Sequence, residues 1–435
     1  MKKICIVSMG YMWFPVESGP SRFFQIAQTF VNCGYEVEVI TTDFQHFKKD
    51  KRETKLIQAQ NYPFQITFIE TKPYKKNVDF RRVLSNRGVA KNLKAYLNLH
   101  IKEYDAVYCS IPANDVAAAA SKICKANNVP FIVDIEDLWP EAMSMVVKNA
   151  TLRKILFHSF QKDAETTYQN CDAAIGTSED YTARAVKYNH RDLPMETVYV
   201  GCNLEDFDGG VEIHKREVEK PEDEFWLSYA GSISTSYDIK NVIDAVILCN
   251  QELDQMANTT QEHESIDSNI KKIHLQILGT GSEKDMLEAY VKEQGLDYVH
   301  FWGFTAYPRM AAALDASDVV INSFVKGAPQ SIVNKVGDYL ASGKPMLNTL
   351  ENPIFCNLVE KHQIGTNIEP GNAKALKEAI LAYYNDPQKA ETIGRNARNL
   401  AETAFDRKTS YRKIVEVTER AIDKGFAHRN DTISK

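Results

Sequence analysis

The 435-residue chain contains no run of 18 apolar residues, which excludes a membrane-spanning helix. Its opening, Met1-Lys2-Lys3-Ile4-Cys5-Ile6-Val7-Ser8-Met9, carries an apolar run too short for a secretory signal and reads as a first β-strand. Eight cysteines stand singly (Cys5, Cys33, Cys109, Cys124, Cys171, Cys202, Cys249, Cys356), and no two form a CxxC pair. This spacing argues against a zinc site or a disulfide framework and fits a reducing, cytoplasmic environment. No GxGxxG fingerprint is present, so a dinucleotide site is a poor reading. Net charge is −6 and no nucleic-acid-binding motif occurs, so nucleic acid is not an expected partner.

What the chain does have is length and alternation. It is too long for one compact core, and two domains of about 200 residues are the natural division. Short apolar runs alternate with amphipathic helical patterns almost throughout, the signature of parallel βαβ units and an α/β fold. In the first half the predicted strands are Ile4–Ser8, Glu36–Thr41, Gln65–Ile69, Ala106–Ser110, Phe131–Asp134, Ala173–Thr177 and Thr197–Val200. The predicted helices there include Ser21–Val31, Asn92–Ile101, Asn114–Ala126 and Leu152–Tyr168. The pattern restarts with strands Trp226–Ala230, Ile273–Leu278, His300–Trp302, Val319–Ser323 and Met346–Asn348. Helices Lys240–Asn250, Glu283–Glu293, Ser331–Ala341 and Lys374–Tyr384 accompany them. The expected domains are 1–205 and 206–406, followed by a final helix and tail over 407–435. A hinge is expected near Asp206–Pro221, where Gly209-Gly210 and a charged run break the pattern. Gln251–Lys272 is polar and aperiodic and reads as a loop.

Charge is unevenly placed. Between Lys48 and Lys94 there are thirteen Lys or Arg against four Asp or Glu, interleaved with Tyr62, Phe64, Phe68, Tyr74 and Phe80. Such an excess suits an anionic lipid surface or a pyrophosphate-linked ligand, and equally an ordinary solvated face.

Several strand ends carry chemistry. Residues 326–345 follow a predicted strand, open a loop at Gly327 and Pro329, and read as a helix from Ser331, ended by Gly343 and Pro345. Lys335 and Asp338 lie three apart and share a face, while Ser331 is placed to cap the first turn. A cation, a carboxylate and an anion-favouring helix start at a strand end suit a sugar nucleotide: diphosphate on Ser331 and Lys335, ribose diol on Asp338. Gly231 after Tyr229-Ala230, Gly279 and Gly281 after Gln276–Leu278, and Gly303 after Phe301-Trp302 allow close backbone approach at three further strand ends. Gly19 and Arg22 occupy the first βα turn. Asp137 and Glu141 flank a Trp-Pro turn after the strand at Phe131, where helix capping and acceptor activation both fit. His46 and His158 stand outside any motif.

The segment Asn334-Lys335…Asp338-Tyr339-Leu340-Ala341-Ser342-Gly343-Lys344-Pro345 resembles donor domains of retaining glycosyltransferase family 4, in particular a bacterial surface-polysaccharide subgroup. The order and spacing of the motifs over 229–345 agree with this family, and Asp134-Ile135-Glu136-Asp137-Leu138-Trp139-Pro140-Glu141 resembles the subgroup's Asp-x-Trp-Pro-Glu segment. Two positions depart from the family pattern, with Gln330 at the first glutamate and Asp338 at the second. The resemblance implies the GT-B fold: two Rossmann-like domains facing a central cleft, with a C-terminal helix crossing back to the first domain. It implies transfer of a sugar from a nucleotide sugar, in all expectation a UDP-sugar, to a glycan or lipid-linked acceptor at the inner face of the plasma membrane. On this reading Gly19, Arg22, Gly231, Lys240, Gly279, Gly281, Gly303, Ser331, Lys335 and Asp338 bind donor, and Asp137, Glu141 and Gln330 are the catalytic candidates. No metal or other cofactor is implied. The acceptor oxygen attacks on the face the diphosphate leaves, and the protein acts by positioning and charge stabilisation. The Gln330 and Asp338 departures keep two alternatives open: a degenerate partner subunit and a sugar-nucleotide epimerase on the same fold.

Overall fold

The structure, a computed structural model, describes residues 1–19, 21–76, 79–141, 151–152, 155, 157–261 and 270–433. The chain divides into two compact units, Met1–Tyr199 with Ser410–Lys435, and Val200–Thr409.

The first unit is built on a seven-stranded parallel sheet. Its strands are β1 (Lys3–Val7), β2 (Glu36–Thr42), β3 (Gln65–Ile69), β4 (Ala106–Ile111), β5 (Phe131–Ile135), β6 (Ala173–Gly176) and β7 (Met195–Thr197). Their order is β3-β2-β1-β4-β5-β6-β7, so the sheet switches direction of growth between β1 and β4. The central strands are buried on both faces, as all-parallel sheets require, and read as continuous apolar runs such as Ile4–Val7. Helix α1 (Arg22–Asn32) covers one face through Phe23, Ile26, Ala27 and Phe30, and its first turn is capped by the Ser21 hydroxyl, which accepts from the Phe24 amide at 3.2 Å. On the other face, α2 (Phe80–His100) buries a single stripe, Ser85, Val89, Leu93 and Leu97. It begins twelve residues before the predicted start at Asn92, because the basic residues upstream form its solvent face and Asp79 caps it, accepting from the Arg81 amide at 2.9 Å.

The final helix, α9 (Arg412–Ile433), belongs to this first unit. Tyr411, Ile414, Val417, Ala421 and Ile422 enter the core beside Ile4, Phe23 and Val198. Tyr35 donates to Glu419 at 2.6 Å, and Lys413 pairs with Glu196 at 3.0 Å.

The second unit repeats the plan. Strands β8 (Glu224–Ala230), β9 (Lys272–Leu278), β10 (Val299–Gly303), β11 (Val319–Asn322), β12 (Met346–Asn348) and β13 (Gly365–Asn367) form a parallel sheet of order β10-β9-β8-β11-β12-β13. The switch here falls between β8 and β11. Strand β13, Gly-Thr-Asn, carries no apolar signature and was not expected from sequence.

Two expectations are corrected. The first part of the predicted hinge, Asp206 to His214, is instead within α4 (Leu204–His214). Gly209-Gly210 lies inside that helix because α4 packs against α7 (Tyr307–Ala316): a Cβ on Gly210 would stand 2.7 Å from the Cα of Pro308. The glycine marks close packing, not flexibility. The predicted loop from Gln251 is likewise occupied up to Gln261 by α5 (Ile239–Gln261), whose apolar stripe, with Val242, Val246, Cys249 and Leu253 buried, holds the polar extension in register. Residues 262–269 lie outside the described residues, as do parts of the predicted Leu152–Tyr168 helix, of which His158–Asn170 is helical.

Candidate functional site

In the second unit the motif residues converge on the C-terminal edge of the sheet, at the β8/β11 switch. Helix α8 (Lys335–Ala341) follows β11 and carries Lys335 in its first turn. The ammonium lies 4.0 Å from the ring centre of Tyr229, 4.2 Å from Tyr237 and 5.8 Å from Phe324. Tyr229 is on β8 and Phe324 lies two residues past the end of β11, so the cation is suspended over the switch point. The nitrogen is buried and has no hydrogen-bond partner among the described residues, although the side chain as a whole keeps partial exposure. Burial pushes its pKa well below the ordinary lysine range. The contacts offered by the rings are electrostatic, which leaves three N–H donors unmet.

Gly231 makes this possible. A Cβ there would lie 2.9 Å from the Lys335 nitrogen, and its φ of +148° is one that glycine adopts freely. Gly279 is bound to the same turn: its Cβ would meet the Gly231 carbonyl oxygen at 1.8 Å. Gly281 approaches the Ile233 carbonyl in the same way, and the Gly279 amide donates to Gly303 at 2.8 Å. The four glycines chosen from sequence thus form a continuous row across the ends of β8, β9 and β10, one of them touching Lys335.

Asp338 stands one turn from Lys335. It accepts a hydrogen bond from the Tyr307 hydroxyl at 2.8 Å, and burial pushes its pKa up to about 6, against the opposing influence of that bond and of Arg407. Tyr307 opens α7 just past Gly303 and was not singled out from sequence; its position after a glycine strand end is the signal that marks it. Gln330 is half-buried, and its Oε1 atom has no hydrogen-bond partner among the described residues.

Two donor-site expectations change. The helix starts at Lys335, not at Ser331: the turn leading into it closes with i to i−3 bonds, Val336 to Val333 at 3.1 Å and Gly337 to Asn334 at 3.3 Å. Ser331 is buried before that turn and does not cap the helix. Lys240, at the start of α5, is taken up by Asp244 on its own helix at 2.8 Å and lies 4.4 Å over the Tyr290 ring.

In the first unit Arg22 is likewise not a free phosphate ligand. It is 5% exposed, pairs with Asp134 at 3.3 Å and Glu136 at 2.8 Å, and donates to the Tyr199 carbonyl at 3.1 Å. Although burial opposes its charge, Asp134, Tyr411 and Glu136 outweigh that, and its pKa is raised. Gly19, with φ +92°, ends the short helix Pro15–Ser18 before α1. Asp137 folds back on its own turn, accepting from the Leu138 amide at 2.8 Å and the Trp139 indole at 3.1 Å, and burial raises its pKa. Glu141 is ion-paired with Arg184. Of the acceptor-side pair, Asp137 is therefore held in place by its turn and Glu141 by a salt bridge. Among the described residues no group of three His, Cys, Asp or Glu is arranged to hold a metal ion.

Residues 211–400 match the family model described as glycosyl transferases group 1. A curated relative, an uncharacterized glycosyltransferase of Methanocaldococcus jannaschii, is 20% identical over 235 residues, 54% of this chain and 54% of that protein. The chain thus matches about half the length of that relative. Among solved structures, HepE of Anabaena in complex with UDP aligns over 97% of this chain and 100% of its own, with TM-score 0.66 and 16% identity. Sucrose-phosphate synthase of Thermosynechococcus elongatus aligns over 100% of both chains, with TM-score 0.65 and 18% identity. These likenesses define the fold as GT-B, an α/β architecture of two Rossmann-like units.

Proposed function

We propose that the chain is a retaining glycosyltransferase that takes a UDP-sugar as donor. The observation that carries this reading is the Lys335 ammonium, buried without a hydrogen-bond partner over the β8/β11 switch and beside the glycine row. A diphosphate at this position would meet its unmet donors and its charge. Asp338, one helical turn away, would accept from the ribose diol, with Tyr307 on its other side. Gln330 would place its amide against the sugar. The glycosyl transferases group 1 match over 211–400 supports the activity, and the UDP and UDP-glucose complexes of HepE support uridine as the nucleotide. On the acceptor side, Asp137 would orient the attacking hydroxyl, and retention follows if that hydroxyl attacks on the face the diphosphate leaves, the departing diphosphate taking its proton.

We assign the acceptor to surface-polysaccharide synthesis at an anionic membrane. No described helix is long and apolar enough to cross a membrane. Helix α2, however, bears Arg81, Arg87, Lys91 and Lys94 on its solvent side, together with Phe80 and Leu84, 72% and 47% exposed.

Titration calorimetry with UDP and UDP-glucose tests the donor site, and UDP release with and without added glycan acceptor tests the reaction. Tight UDP binding with acceptor-dependent release is expected. Turnover of the sugar nucleotide without acceptor would indicate an epimerase. Absence of UDP binding would leave a partner subunit without donor chemistry.

A further inference from the structure

The first unit has its own switch point, between β1 and β4, and a small, partly open cavity lies just beyond it. Met9–Tyr11 after β1 and Pro112-Ala113 after β4 form two of its walls, and the first turns of α2 form a third. The cavity measures about 40 Å³, room for one or two water-sized groups and not for a whole sugar ring. Its lining mixes polar side chains, His46, Tyr74, Arg82 and Ser85 among them, with apolar ones such as Met9 and Val89. Ser85 is 1% exposed, yet its hydroxyl has no hydrogen-bond partner among the described residues, an arrangement that is costly unless something enters to meet it. The imidazole of His46 lies 2.5 Å from the Tyr74 hydroxyl. Burial, with Arg82 and Lys49 nearby, pushes the His46 pKa down to about 3, so the ring is neutral at physiological pH and offers one donor and one acceptor.

An aromatic side chain packs against two of the residues that line this cavity, His46 and Tyr11. Phe47 is 57% exposed, a large apolar ring left open to solvent. It is nevertheless fixed in orientation, packed edge-on against Trp13 at 5.2 Å and 84° and against His46 at 5.1 Å and 75°. Tyr11, which lines the cavity, is 6.5 Å from it. An oriented, exposed ring beside a cavity of hydroxyl size with hydrogen-bonding groups in its wall has the chemistry that recognises a pyranose. The C–H face of the sugar packs on the ring, and one substituent reaches inward to the polar groups.

We infer that Phe47 and the cavity lined by His46, Tyr74 and Ser85 form a carbohydrate subsite of the first unit, which seats a pyranose with one hydroxyl or hydroxymethyl buried against Ser85. The inference rests on the glycosyl-transfer reading in assigning this sugar the part of acceptor. The binding itself stands on the cavity and the ring.

Saturation-transfer-difference NMR on the full chain, with methyl glucoside, galactoside, mannoside and N-acetylglucosaminide as probes, tests it. At least one glycoside should give ring-proton signals that fall severalfold in Phe47→Ala and also in Ser85→Val, where the added methyls fill the cavity. Melting temperature checks that both variants are folded, and Phe47→Ala, at an exposed position, keeps the test open if Ser85→Val does not fold. In Lys335→Ala the glycoside signals should persist while UDP binding is lost, which separates this subsite from the donor reading. Signals absent for every probe, unchanged in Phe47→Ala, or lost in Lys335→Ala would overturn the subsite. Loss of UDP binding in none of the variants would count against the donor site alone.

Discussion

Replacing Lys335 with methionine keeps the length of the side chain and removes its charge. In the unliganded protein that charge is buried, faces two tyrosine rings within 4.2 Å, and has no hydrogen-bond partner. Exchanging a buried charge for an apolar group of similar shape stabilises by about 1–4 kcal/mol, and loss of the ring contacts takes back about 1–2 kcal/mol. At the midpoints of these ranges the variant should therefore be more stable by about 1 kcal/mol, or about 2–4 °C in melting temperature for a unit of this size. The same change should weaken UDP binding by about 1.5–3 kcal/mol, the value of a hydrogen bond to a charged group, which is about ten- to a hundredfold in Kd. Scanning fluorimetry with and without UDP reads both effects. A pH series adds a sign. Because the folded-state pKa lies below the ordinary 10.5, the unfolded chain binds the extra proton between the two values. Wild-type stability should thus rise with pH relative to the variant across that window. A variant that melts lower than wild type and binds UDP equally well would refute the reasoning, since the ammonium would then be neither costly where it sits nor part of the diphosphate site.

Three further outcomes follow from the structure. Asp338 has its pKa raised to about 6, so UDP affinity should fall as pH drops through that value, and Asp338→Asn should bind weakly and lose the dependence; calorimetry at several pH values checks this. Glu38 is buried in the first unit and accepts from Tyr96 at 2.6 Å, Thr67 at 2.8 Å and Tyr104 at 2.9 Å, with Lys3 at 3.2 Å. Burial opposes its charge, but these partners prevail and lower its pKa, so its stabilisation is present above the ordinary glutamate pKa and lost as pH falls through the lowered value. Glu38→Ala should cost about 3–5 kcal/mol in urea unfolding. Changing Arg81, Arg87, Lys91 and Lys94 of α2 to Gln should reduce co-sedimentation with anionic vesicles, at about 1 kcal/mol per residue near the surface, and added salt should do the same to wild type; equal sedimentation would refute membrane contact.

The strands were legible because parallel sheets buried on both faces require uninterrupted apolar runs, and Ile4–Val7 or Val319–Ile321 can be little else. Strand β13 was not, since Gly-Thr-Asn at the sheet edge buries too little to leave a pattern. The glycine row was visible as four glycines at three separate strand ends, and the structure joins them through backbone contacts that only glycine allows. Burial was the quantity hardest to read. Arg22 looked like a phosphate ligand because its carboxylate partners Asp134 and Glu136 lie more than a hundred residues away. Gly209-Gly210 looked like a hinge because Pro308, the residue that Gly210 accommodates, lies nearly a hundred residues further along the chain. His46, outside any motif, gained its setting only when Tyr74 and α2 folded over it.

The discontinuity of the first unit sets a timetable for synthesis. Its sheet is complete once β7 leaves the ribosome, yet the helix that covers Ile4, Phe23 and Val198 is α9, translated only after the whole second unit. At ordinary elongation rates the gap is on the order of ten to forty seconds. Throughout it a nascent sheet must wait with an apolar flank uncovered, exposed to chaperones and to other nascent chains, while the second unit, contiguous in sequence, is free to fold as it emerges. A premature stop anywhere in the second unit would therefore harm the first, the part already made, by withholding the segment that completes its core.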